Sequence, residues 1–129
     1  MDGPLVRIDG RRIVDRDSFH DVFAEAFGFP SFYGRNMDAW IDCLSSLGAP
    51  ADGLTEVHAP KGAVIVLQID NAEAFARRCP HLYKEFIDCA AFVNWRLLEQ
   101  GKPPVLALAF RKLPATETPL HFGFGADRR

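Results

Sequence analysis

The sequence predicts a single small α/β domain with a three-stranded parallel sheet packed by helices. Three observations carry that reading. Three short runs read as strands: LVRID at Leu5–Asp9, which alternates weakly, and AVIVLQI at 63–69 and VLALAF at 105–110, which are apolar nearly throughout. Strands of the latter kind are usually buried on both faces, as in parallel sheets. Each interval between strands holds two helical segments, and three of the four carry apolar residues at helical spacing. Helices between strands imply crossovers and hence a parallel sheet, in the order β-α-α-β-α-α-β. Finally, 129 residues suffice for one hydrophobic core but not for two.

After the first strand, Gly10, Arg11 and Arg12 make a turn. Asp17 or Ser18 is positioned to cap a helix that runs to about residue 27. Phe19, Val22, Phe23, Ala26 and Phe27 form its core stripe. Gly28 ends that helix and Pro30 prevents its continuation. An aromatic-rich turn, FPSFYGRN at 29–36, leads to a second helix, with Asn36 as its N-cap. Met37, Trp40, Ile41, Leu44 and Leu47 fall on one stripe of that helix, at about 3.6 residues per turn. Residues 48–62 read as a loop. After the second strand, Asp70 and Asn71 supply a cap for a short helix that Pro80 interrupts. A long helix then runs from residue 80 or 81 to 100, closed by Gly101. Its apolar face comprises Leu82, Tyr83, Phe86, Ile87, Ala90, Val93, Leu97 and Leu98. Phe92 and Trp95 fall outside that face, and the aromatic residues Phe122 and Phe124 are available to cover them. The domain is expected to span residues 1–113. Residues 114–129, rich in Thr, Pro and Gly, read as a C-terminal tail.

Composition narrows the function. Hydrophobic residues make up 48% and charged residues 25%, with a formal net charge of −2, so no global basic character points to direct nucleic-acid binding. The N-terminal residues lack a long apolar segment, and no run approaches the ~18–20 apolar residues of a membrane span. Three cysteines (Cys43, Cys79, Cys89) at irregular spacing argue against a disulfide framework and for a reducing, cytoplasmic setting. His20, His58, His81 and His121 show no zinc-type spacing, and there is no phosphate loop or nucleophile elbow. No cofactor or metal is expected, and an exposed Asp pair lacks the pocket that acid–base chemistry requires. An enzyme is not expected.

The second helix carries the clearest functional signal. Asp38, Asp42 and Ser45 project together, opposite the apolar stripe, and the two carboxylates stand one turn apart. Like charges at this spacing repel by a few tenths of a kcal/mol. A cationic partner would remove that cost. Taken alone, the pair also fits an ordinary solvated surface, with Asp38 favoured by the helix dipole.

The stretch Phe32-Tyr33-Gly34-Arg35-Asn36-Met37-Asp38-Ala39-Trp40-Ile41-Asp42-Cys43-Leu44 resembles the signature of the barstar family, and the resemblance extends over roughly residues 4–111. The family comprises intracellular protein inhibitors of the ribonuclease barnase and similar proteins. The resemblance implies a three-stranded parallel sheet and an acidic helix that plugs a cationic ribonuclease active site. It further implies that Asp42 is the dominant acidic contact and Asp38 the second, with Tyr33 as an aromatic contact and Ser45 and Ser46 as polar ones. Ile41 stands where barstar has Trp, Arg35 where it has an acid, and Arg96 near where its long helix supplies a Glu. The expected function is therefore a cytoplasmic, monomeric ribonuclease inhibitor, an immunity protein against a basic ribonuclease or other toxin protein. It acts without membrane or nucleic-acid contact of its own. The alternative is an interaction module of the same fold whose partner is not a ribonuclease.

Overall fold

A computed structural model describes residues 4–111 and 121–122. Three parallel strands, β1 (Leu5–Asp9), β2 (Ile65–Asp70) and β3 (Leu106–Phe110), lie side by side with β2 in the centre. Val6 pairs with Leu67 and Ile8 with Ile69; Ile65 pairs with Leu106 and Leu67 with Leu108. Side chains alternate between the two faces of a strand. The register therefore puts Val6, Ile8, Ile65, Leu67, Ile69 and Leu106 on one face, and all six are buried in the core. On the other face Leu5 is exposed, whereas Gln68 of the central strand is buried and donates to Asp70 Oδ1 at 2.7 Å. One element goes beyond the predicted order. A two-residue strand, β4 (His121–Phe122), pairs antiparallel with β3.

Four helices fill the two crossovers: α1 (Arg16–Phe27), α2 (Met37–Ser45), α3 (Ala72–Arg78) and α4 (Pro80–Glu99). The cap of α1 differs from the expectation of Asp17 or Ser18. Asp15 is the N-cap, and its carboxylate accepts from the Ser18 N–H at 2.9 Å while the Ser18 hydroxyl accepts from the Asp15 N–H at 3.0 Å. This reciprocal box satisfies two otherwise unpaired donors. At the other end Gly28 adopts φ 70°, a left-handed conformation that costs glycine nothing, and its N–H closes on Ala24 O. Asn71 holds the N-cap position of α3, but its side chain donates instead to Asp9 Oδ1 at 3.0 Å. α4 ends as predicted. The N–H groups of Gly101 and Lys102 return to the carbonyls of Leu98 and Leu97.

The centre of the core is aromatic. Phe19, Phe23 and Phe27 of α1, Trp40 of α2, Phe75 of α3 and Phe86 of α4 are all completely buried. Trp40 lies 5.5–6.0 Å, centroid to centroid, from Phe19, Phe23 and Phe86. Such pairs add to the large apolar area that each ring buries. One ring thus ties α2 to both α1 and α4 and sets which face α2 turns outward. On α4, Leu82, Phe86, Ala90, Val93 and Leu97 are buried as predicted, but Leu98 is exposed. Phe92 and Trp95 also lie exposed, stacked on each other at 5.5 Å. The side chains of Phe122 and Phe124, expected to cover them, lie outside the described residues.

Candidate functional site

The turn at 29–36 positions everything that follows it. Tyr33 N–H closes on Pro30 O at 3.0 Å, and the Tyr33 ring packs on Phe29 with centroids 4.6 Å apart. The Tyr33 hydroxyl meets Nδ1 of the buried His20 at 2.6 Å. Burial holds the Tyr33 phenol well above its ordinary pKa, so it stays protonated. Burial likewise lowers the pKa of His20, helped by the nearby Arg35 and Arg16 charges. A neutral imidazole that accepts from the Tyr33 hydroxyl fits both shifts.

Arg35 adopts φ 56°, which is uncommon for a residue with a side chain. Its guanidinium holds it there, through Asp21 at 3.0 Å, Asp17 Oδ1 at 3.4 Å and the Asp17 carbonyl at 3.0 Å. The turn is therefore tethered to α1 by charge as well as by aromatic packing. Asn36 then caps α2 as the sequence predicts, its Oδ1 accepting from the Ala39 N–H at 2.8 Å.

The outward face of α2 carries Asp38 in its first turn and Asp42 one turn later, both exposed. Behind them Met37, Trp40, Cys43, Leu44 and Leu47 are buried, so the helix cannot roll without opening the core. Ile41 is half-buried at the edge of that core and shows part of its side chain beside Asp42. Ser45 donates from its hydroxyl to Ile41 O at 2.6 Å. Ser46 is a different case from its neighbour. It is buried, and its hydroxyl donates to Asp52 Oδ2 at 2.8 Å, tying the end of α2 to the following loop. It offers a partner little surface.

The sequence names Arg96 and Phe32, but neither the contact of the first nor the exposure of the second. Arg96 of α4 donates from Nη1 to Asp42 Oδ1 at 2.9 Å and to Ser45 Oγ at 3.3 Å. The two chain positions are 54 residues apart, so no local spacing signals the pair. Phe32 is 75% exposed at the tip of the turn. Its signal was an aromatic residue with no place in any apolar stripe.

Cys43 is buried beside Asp42, and burial, then the Asp42 charge, pushes its thiol up to about 11, so it is not a thiolate near neutrality. Among the described residues the three cysteines are unbridged and no group of three or more His, Cys, Asp or Glu side chains is placed to hold a metal ion. No helix among them is long and apolar enough to cross a membrane. What the face offers is a rigid ridge with two carboxylates, a half-buried Ile and an aromatic turn.

Comparison with known proteins places the chain in a family. The family model described as Barstar (barnase inhibitor) matches residues 4–109. A curated protein of Bacillus subtilis (strain 168), named "Putative ribonuclease inhibitor YrdF", is 45% identical over 38 residues. That stretch covers 30% of this chain and 42% of the relative, so the match spans about two-fifths of the relative's length.

Proposed function

This chain belongs to the barstar family, and from that premise we propose that it is an intracellular inhibitor of a basic ribonuclease, an immunity protein that acts by docking and without chemistry of its own. The observation that carries this reading is the pair Asp38 and Asp42, exposed one turn apart on a helix whose opposite side is locked into the aromatic core. In this role α2 enters the enzyme's active site, and the carboxylates take the place of RNA phosphates against its Arg and Lys side chains. Charge-assisted bonds between Arg and carboxylate are strong and directional, and more so once water is excluded. Tyr33, Ile41 and Ser45 line the same ridge and complete the contact, and Ser46 holds the helix end. Because the site is covered rather than modified, one inhibitor neutralises one enzyme and RNA is excluded.

The test is capture. Wild type and Asp42→Arg are used as baits in native lysate and culture medium, and the captured protein is assayed for RNA cleavage. A basic ribonuclease held by wild type, inhibited by it and lost with Asp42→Arg is the expected result. Equal capture by both baits, or a captured protein that does not cleave RNA, would remove this reading.

A second reading has one observation in its favour. The stacked pair Phe92 and Trp95 exposes 41% and 52% of its surface on α4. If the captured protein is not a nuclease and is lost with Phe92→Ser rather than Asp42→Arg, the chain is an interaction module that works through α4.

A further inference from the structure

Asp42 is not free in this protein. Arg96 Nη1 holds its Oδ1 at 2.9 Å, and the pair is partly shielded, with side-chain exposures of 36% for Arg96 and 59% for Asp42. Ser45 completes the arrangement. Its hydroxyl hydrogen is committed to Ile41 O, which leaves its lone pairs turned to accept from Arg96 at 3.3 Å. Val93 and Leu97, three residues before Arg96 and one after it, are buried, so the guanidinium is delivered to α2 by a helix that cannot rotate away. Among the described residues Asp42 Oδ2 accepts from no donor, so a carboxylate oxygen is still open to an incoming cation.

That geometry sets a conflict. An N⁺–H···O⁻ contact is about 2.8 Å long, so a partner cation seated on Oδ2 lies on the order of 6 Å from the Arg96 guanidinium. Two positive charges at that distance are weakly coupled in water but strongly coupled once the interface excludes it. Either the incoming cation displaces Arg96, which then loses the one carboxylate that it meets among the described residues, or both share Asp42 and repel. Both routes oppose docking onto a positive site.

We propose that Arg96 is an internal competitor for Asp42, a specificity-determining residue that lowers the affinity of the acidic helix for cationic sites. The inference rests on the docking reading above and adds a residue on a second helix that regulates it. Asp42 is the contact, and Arg96 sets how readily that contact is given up.

The experiment uses the full chain and catalytically silenced barnase as the probe, with binding measured by calorimetry and stopped flow. Wild type, Arg96→Gln, Arg96→Glu and Asp42→Asn are compared, together with the double variant Arg96→Gln/Asp42→Asn. Arg96→Gln is expected to raise affinity on the order of tenfold, Arg96→Glu by more, with faster association and a steeper salt dependence. In the Asp42→Asn background Arg96→Gln is expected to have no more than a twofold effect, because the two side chains act as a coupled pair. The unfolding midpoint of each variant separates lost folding from altered docking. If wild type binds and Arg96→Gln binds equally or less tightly, the competitor role is overturned while the docking reading stands. The same holds if the gain persists without Asp42. Binding of barnase by none of the variants overturns the inference, because removing Arg96 then opens no cationic site to the helix, while the ribonuclease reading is decided by the capture experiment.

Discussion

The two carboxylates of α2 make unequal predictions although they look alike in sequence. Asp42 sits mid-helix beside Ile41, whereas Asp38 lies in the first turn, nearer the rim. Under the proposed function Asp42→Ala is expected to weaken ribonuclease binding about 100-fold or more and Asp38→Ala about tenfold, in line with central and peripheral charged contacts. Both side chains are exposed, so unfolding midpoints should move little. A loss of folding in Asp42→Ala would show that the carboxylate is structural. His20 carries a separate prediction. Its pKa is depressed by burial and by Arg35 and Arg16, below the ordinary value of 6.5. The unfolded chain therefore takes up a proton first as pH falls. Its contribution to stability is complete above pH 6.5, and is lost as pH drops from there through the lower folded pKa. Urea unfolding from pH 7.5 to 5 should show that decline, and His20→Gln should flatten it. Local residue chemistry was largely legible. Asn36 was identified as a cap from its place before an apolar stripe. Asp15 was not, because Asp17 and Ser18 lie closer to the first periodic residue, and only the folded backbone shows which carboxylate reaches the third N–H. The Asp42–Arg96 pair was beyond reach, since two helices distant in sequence must dock before it exists.

Single elements matter here through how α2 is aimed. Trp40 is fully buried against α1 and α4, and Trp40→Ala is expected to cost about 3–5 kcal/mol. It should also abolish docking, because the face opposite the ring loses its orientation. Asn36→Ala removes one cap bond and should cost about 1 kcal/mol, with a smaller loss of binding. Denaturant titration and a binding assay on both variants would expose any mismatch between stability and docking. If Trp40→Ala still binds tightly, the recognition face is not α2. The helices α1, α2 and α4 followed from their apolar stripes, and α3 from its cap and Pro80. The apolar runs placed the strands but not their limits, since β2 starts at Ile65 rather than 63 and β3 at Leu106 rather than 105. What the stripes did not settle was the margin of α4. Leu98 lies at the edge of an apolar arc, and being on the arc does not make a residue buried where no neighbouring element reaches it.

For the molecule as a whole, a net charge of −2 gives little long-range field, so attraction must come from the local ridge on α2. Association with a basic partner should slow as ionic strength rises from about 0.01 to 0.15 M, where the screening length shrinks from about 30 to 8 Å. Stopped-flow rates that do not respond to salt would point instead to the apolar Phe92–Trp95 surface. The parallel three-stranded architecture was readable because each crossover holds two helices. β4 was not, as two residues carry no periodicity. That short strand has a consequence for how copies of the chain meet. The β3 side of the sheet is capped by it, while β1, at the opposite margin, pairs on one side only among the described residues. The outer amide and carbonyl groups of β1 form a ladder with no second rail, on which an extended segment of another molecule can be built. Its short length of five residues and the charge of Arg7 at its middle oppose such growth. Arg7→Val should therefore leave the fold intact yet bring on concentration-dependent assembly, visible as rising light scattering, and an unchanged scattering profile would show that the strand is guarded by something else.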